Sequence, residues 1–160
     1  MPVPAEYYHA SKQFEEFMLD ARDAADLQTT HMAWNMVVGV LQAFRRRLAV
    51  RDALKFAGLL PPGIRALFVA DWDADAPALP FTDEESLLAE VRSVRAAHNF
   101  SPANAREAVA IALRHNVDTE ALDRFLQSIS EDAYTFWFVE PEVMRRLRRD
   151  RDLSVESRAD

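Results

Sequence analysis

Apolar residues recur at helical spacing along almost the whole chain. Tyr7, Tyr8, Ser11, Phe14, Met18 and Ala21 fall on one stripe of a first helix. Met32, Met36, Val37, Val40, Leu41, Phe44 and Leu48 form a longer stripe on a second. Thr29 or Thr30 stands where a cap for that helix is needed. Arg45, Arg46 and Arg47 sit at its negative end, where the expectation is a solvated cluster that complements the helix dipole. Ala53, Phe56, Ala57 and Leu60 mark a third helix, which must stop by Leu60 because the residue before Pro61 is pushed out of the α region. Pro62 pre-sets the first turn of a short fourth helix bearing Ile64, Leu67 and Phe68. The string LLPPGIRALFVADW is therefore a helix–proline–helix joint.

From Asp71 to Thr82 the pattern lapses. DWDADAPALPFT has two prolines and no apolar stripe, and reads as a linker. Thr82, followed by Asp83, Glu84 and Glu85, predicts a new helix start with an acidic first turn. Leu87, Leu88, Val91 and Val94 follow on one face. Ser101-Pro102 predicts the next helix, cap then proline, with Ala105, Val109, Ala112 and Leu113 on its stripe. Asp118 or Thr119 opens another, with Leu122, Phe125, Leu126 and Ile129. Ser130 begins a short aromatic helix ending near Phe138, and a charged helix starts near Pro141.

The order repeats. A shift of 72 positions lays Thr29, Ala33, Val37 and Leu41 on Ser101, Ala105, Val109 and Leu113. After the helix junction the shift becomes 69, and Leu48, Phe56, Leu60 and Leu67 meet Val117, Phe125, Ile129 and Phe136. The expected fold class is therefore all-α: two tandem helical repeats packed into one bundle, with an extra charged C-terminal helix. Residues 1–70 form the first repeat, 71–82 the linker, 83–139 the second repeat, and 140–160 the C-terminal helix and tail.

Composition narrows the function classes. The chain has 160 residues and no cysteine, so thiol catalysis and cysteine-ligated metals are out and an oxidising compartment is not indicated. MPVPAEYYHASKQF lacks the basic-then-apolar order of a signal peptide, and no apolar run reaches membrane-spanning length, so a cytoplasmic protein is the expectation. The net charge of −7 opposes nucleic acid and anionic lipid. Three glycines leave little room for a Gly-rich phosphate cradle.

Taken together, LLPPGIRALFVADWD closing one copy and TDEESLLAEV opening the next resemble the bacterial family catalogued as domain of unknown function 2267, over about Phe14 to Val139. The resemblance implies an all-α fold of two tandem copies. It brings no assigned reaction, so no catalytic residue is carried over. Ile129-Ser130 departs from the pattern, standing where a second leucine-proline pair would fall.

The remaining motifs have simple structural readings. Asp71-Trp72-Asp73-Ala74-Asp75 alternates like a calcium loop, but Ala76 and Thr82 stand where glycine and glutamate are needed. Glu6-Tyr7-Tyr8-His9 is one half of a di-iron motif without its second half. His31, His98 and His115 have no glutamate three residues earlier, so no metal or cofactor is expected. Ser101 and Ser130 read as caps, and no serine sits in a nucleophile elbow. Arg145 to Arg151 spread around a helix, and do not form a nucleic-acid stripe. Tyr134, Phe136, Trp137 and Phe138 cannot share one face of a short helix, so Met144 and Leu147 or a partner must cover them. The leading expectation is a non-catalytic protein-interaction or scaffold module, self-associating or binding a protein partner. A small-molecule site between the repeats, lined by Met32, Trp34, Met36 and Trp137, is the alternative. An enzyme comes third.

Overall fold

The computed structural model describes residues 3–147. Among these every regular element is helical: α1 (Ala5–Tyr8), α2 (Ala10–Ala24), α3 (Thr30–Arg45), α4 (Val50–Ala57), α5 (Pro62–Val69), α6 (Glu84–Ser93), α7 (Ala105–Asn116), α8 (Thr119–Ile129) and α9 (Glu131–Trp137). Residues 141–147 form a further helical stretch. The remainder of the arginine-rich segment, Arg148, Arg149 and Arg151, lies outside the described residues. No described helix is long and apolar enough to cross a membrane.

Local signals account for most boundaries. The Thr29 hydroxyl accepts from the Met32 amide at 3.2 Å, Asp118 caps α8 through the Ala121 amide, and Ser130 caps α9 through the Ala133 amide. Pro62 occupies the first turn of α5. Three starts differ from expectation. The first helix is broken at His9, so Tyr7 and Tyr8 sit exposed on the short α1, and the buried stripe belongs to Phe17, Met18 and Ala21 of α2. Asp83 caps α6, taking the Ser86 amide at 2.8 Å, because a carboxylate accepts more strongly than the neighbouring Thr82 hydroxyl. Ser101 does not cap α7, which begins at Ala105. Its amide and hydroxyl donate to Asn99 Oδ1, while Asn99 Nδ2 donates to the Val91 and Val94 carbonyls, each at 2.8 Å. Asn99 thereby closes the end of α6, adding a donor at the Val91 carbonyl, which otherwise has only the long 3.4 Å contact from the Val94 amide, and supplying one at the Val94 carbonyl.

The packing crosses between the halves of the chain. α2 lies against α7 and α3, while α6 lies against α3. α3 is therefore the central helix, buried on nearly every side from Ala33 to Arg45. At Gly39 the approach is so close that a Cβ would sit 2.7 Å from the Val91 carbonyl of α6. Beyond that crossing lies an aromatic centre. Phe44 packs on Phe56, Phe136 and Trp137 with ring centroids 4.9, 5.0 and 5.3 Å away, and Phe56 packs on Phe68 at 5.0 Å. Val143, Met144 and Leu147 pack against this core from the C-terminal side.

Several features recur 69 positions apart. Asp26 and Arg95, just past the ends of α2 and α6, both adopt positive φ (54° and 51°). Pro61 and Ser130 are the N-caps of α5 and α9. Arg45 and Arg114 each reach the carboxyl end of the last helix in their own half, donating to the Phe68 carbonyl at 2.7 Å and the Trp137 carbonyl at 2.7 Å. In both cases a cation meets the negative end of a helix.

Candidate functional site

Among the described residues, two surface hollows and one buried polar pair gather polar and charged side chains. The larger hollow, of about 330 Å³, forms where the linker after α5 folds over the carboxyl end of α3. The Leu79 amide donates to the Arg46 carbonyl at 2.9 Å and holds the linker down. Arg45 forms one wall. It is 4% exposed, and its Nη1 donates to the carbonyls of Phe68 (2.7 Å) and Ala70 (2.8 Å). Its guanidinium carbon stands 5.5 Å from the Trp72 ring centroid, a cation–π contact. Burial, then the charge of Arg46, lowers the Arg45 pKa, and Asp71 partly opposes both. The expected solvated arginine cluster is thus corrected at this position: Arg45 is an interior group, because distant carbonyls supply what water would.

Arg47 is equally enclosed. Its Nη1 donates to the Ala43 carbonyl of its own helix, and its Nη2 to Glu90 at 2.7 Å. Arg46 reaches the same carboxylate at 2.9 Å. Burial alone would raise the Glu90 pKa, but the hydrogen bonds and charges of Arg47 and Arg46 outweigh it, leaving the carboxyl below its ordinary range. A carboxyl depressed in the folded state contributes stability that is present above its unfolded pKa and is lost as pH falls through the folded one. The unfolding midpoint in urea is therefore expected to fall as pH drops from about 5 toward 3. Part of that fall will be missing in Glu90→Gln, which will be less stable than the parent at neutral pH and will converge with it in acid. Parallel slopes for the two proteins would contradict the assignment.

The second hollow, about 260 Å³, lies between α2 and α3 and is lined by Phe14, Glu15, Met18, Thr30, His31 and Trp34. Trp34 is 37% exposed and packs against Phe14 at 5.7 Å, with the rings tilted. Of the four residues expected to line a ligand crevice, Trp34 lines this hollow. Met32 is half-buried, and Met36 and Trp137 are fully enclosed in the core. Trp137 touches Phe44, which lies ten residues beyond Trp34, or about 15 Å along the axis of α3. Trp34 and Trp137 are thus placed in different regions of the bundle.

The buried polar pair joins α2 to α7. His115 Nδ1 lies 3.8 Å from Asp20 Oδ2, and Asn116 Nδ2 donates to the same oxygen at 2.8 Å. Both side chains of the His–Asp pair are more than nine-tenths enclosed. They tie α2 to α7 in the interior of the bundle.

Sequence reasoning singled out Asp71-Trp72-Asp73 and the arginine triplet separately. Their meeting in one pocket is a tertiary contact that neither motif signals. A family model described as Uncharacterized conserved protein (DUF2267) matches residues 14–136. No curated protein matches the chain.

Proposed function

Because the chain belongs to the DUF2267 family, whose model spans most of its length, we propose a function at the level of that whole bundle: a non-catalytic interaction module. Its docking surface is the α2/α3 groove, and its partner is a protein segment that presents one apolar side chain flanked by lysine or arginine. The observation that carries this reading is Trp34, a large aromatic left more than one-third exposed on a helix that is otherwise the centre of the core. Aromatic residues anchored in a shallow apolar hollow are the usual energetic centre of protein interfaces. Glu15 stands on the rim, and the chain carries a net charge of −7, so a basic flank is the complementary one.

The groove stands on a frame that we read as two interlocked copies. The recurrence of caps, left-handed residues and arginine–carbonyl contacts at a spacing of 69 supports that reading, as does the crossing of α2 onto α7 and of α6 onto α3. Each first helix then covers the second helix of the other copy. Such a frame is stiff, which suits a preformed docking surface.

Selection of peptides on the purified full-length chain tests the proposal. Enriched sequences are expected to share an aromatic or large aliphatic anchor beside basic residues. Their binding should be lost in Trp34→Glu, a substitution expected to change stability by less than about 1 kcal/mol because the site is partly in solvent. Enrichment of unrelated or acidic sequences, or binding that survives Trp34→Glu, would overturn it. A dimer in solution that the same substitution dissociates would replace the foreign partner with a second copy of this chain.

A further inference from the structure

The linker pocket is separate from the α2/α3 groove and has a chemistry of its own. Arg45, Arg46, Asp71 and Asp73 line it, so residues of both signs meet there, although the Arg46 guanidinium is also bonded to Glu90. Leu48, Val50, Trp72 and Leu79 supply apolar surface between them. Its volume of about 330 Å³ is at the small end of ligand sites, the size of a metabolite.

Arg45 is incompletely paired. Both Nη1 bonds go to the carbonyls of Phe68 and Ala70, and Nη2 has only the long 3.4 Å contact to the Asp71 carbonyl. Nε is buried with no hydrogen-bond partner. The Nε–Nη2 edge is the side of a guanidinium that receives a carboxylate through two parallel bonds. Arg114 shows that edge in use: its Nε donates to the Trp137 carbonyl and its Nη2 to Asp123 at 2.9 Å. The residue 69 positions before Asp123 is Leu54, so the first half has no carboxylate at that position. No ion pair forms between Arg45 and any carboxylate among the described residues; Asp71, in the left-handed region at φ 52°, presents its carbonyl instead. Nη2, held only by that long contact, is the Arg45 donor with the most hydrogen-bonding capacity left for a ligand.

We propose that this pocket binds a small zwitterion with an apolar side chain, the chemistry of a free α-amino acid. Its carboxylate takes a bond from Arg45 Nη2 in place of the long 3.4 Å contact to the Asp71 carbonyl, its ammonium faces Asp71 and Asp73, and its side chain rests on Trp72, Leu48, Val50 and Leu79. A ligand with one charge alone would leave one pair of walls facing a like charge or nothing.

Titration calorimetry on the full-length protein, with L-leucine and L-phenylalanine as probes at millimolar concentration, tests this. N-acetylphenylalanine, which lacks the ammonium, and phenylalaninamide, which lacks the carboxylate, serve as comparisons. The free amino acids are expected to bind, and removal of either charge to weaken binding by roughly tenfold or more. Ala74→Trp, which fills the mouth from an exposed position, is expected to abolish binding without lowering Tm. Asp73→Asn should weaken the amino acids and leave N-acetylphenylalanine unchanged. Failure of every probe to bind, equal affinity for the parent and either blocked form, or full binding in Ala74→Trp would each overturn the proposal.

Discussion

Trp137→Ala is expected to remove about 3–5 kcal/mol of unfolding free energy, the range for deleting a large aromatic from a core. For a chain of this length that corresponds to a fall in Tm on the order of 10 °C. The reason lies in what the indole touches. Trp137 is fully enclosed and packs on Phe44, Phe56 and Phe136, with centroids 5.3, 5.8 and 5.0 Å away. Phe44 comes from α3, Phe56 from α4 and Trp137 from α9, so a single deletion opens a void where three helices meet. Rings cannot slide into such a gap without dragging their backbones, and the cavity persists. Trp137 Nε1 is itself buried without an acceptor. Trp137→Phe keeps most of the packing and discards that orphan donor, so it should cost well under the alanine value. Urea denaturation of the two variants beside Trp34→Ala makes the comparison complete. The groove tryptophan should cost less than about 1 kcal/mol. Equal losses at positions 34 and 137 would mean that the two indoles do not divide between surface and core as described.

The same contrast explains which parts of the structure could be read in the sequence. Helices whose start is a local event were legible: Thr29, Asp118, Ser130 and Pro62 each act within one turn of themselves. Thr82 had the right residue type in the right place, but Asp83 beside it was the stronger acceptor, while Ser101 spends its amide and hydroxyl on Asn99 Oδ1 and α7 starts only at Ala105; composition alone shows neither. The arginine triplet was legible as a helix end and illegible as an interior feature. Arg45 finds its acceptors 23 and 25 residues away, and Arg47 finds Glu90 at a separation of 43. Nothing in the periodicity of α3 separates a solvated guanidinium from one held by remote carbonyls. The exposure of the candidate residues for a ligand crevice was illegible for the same reason. Met36 lies on the apolar stripe that faces the core, whereas Trp34 lies off it, and exposure of an aromatic becomes visible only once neighbouring helices are placed. The linker pocket is the extreme case, made from segments whose separate motifs each looked like solvent-facing charge.

Gly39→Ala should destabilise by about 1–3 kcal/mol, the range for overpacking a filled core, although helix propensity alone favours alanine by about 1 kcal/mol. The sign is decided by what a methyl group would meet. A Cβ at position 39 would lie 2.7 Å from the Val91 carbonyl oxygen and 2.9 Å from Val91 Cγ1. A side chain can rotate away, but a backbone carbonyl moves only with its helix. α6 is not free to move. Asn99 Nδ2 holds that same Val91 carbonyl at 2.8 Å, and Glu90, one residue earlier, is clamped by Arg46 and Arg47. Pushing α6 outward therefore strains two polar ties as well as the α3–α6 contact. Adding Val91→Ala should restore only the part of the loss due to Cγ1, leaving the carbonyl clash in place. Gly58→Ala provides the control: φ is −64° there, and the nearest atoms to a new Cβ are carbonyls of its own helix at 3.3 and 3.9 Å. That change should be neutral or stabilising by up to about 1 kcal/mol, through the smaller entropy of the unfolded chain. If urea titrations instead showed Gly39→Ala to be the more stable protein, α3 and α6 would have to be farther apart than the backbone contact at Val91 allows, and the crossing that locks the two halves together would be lost with it.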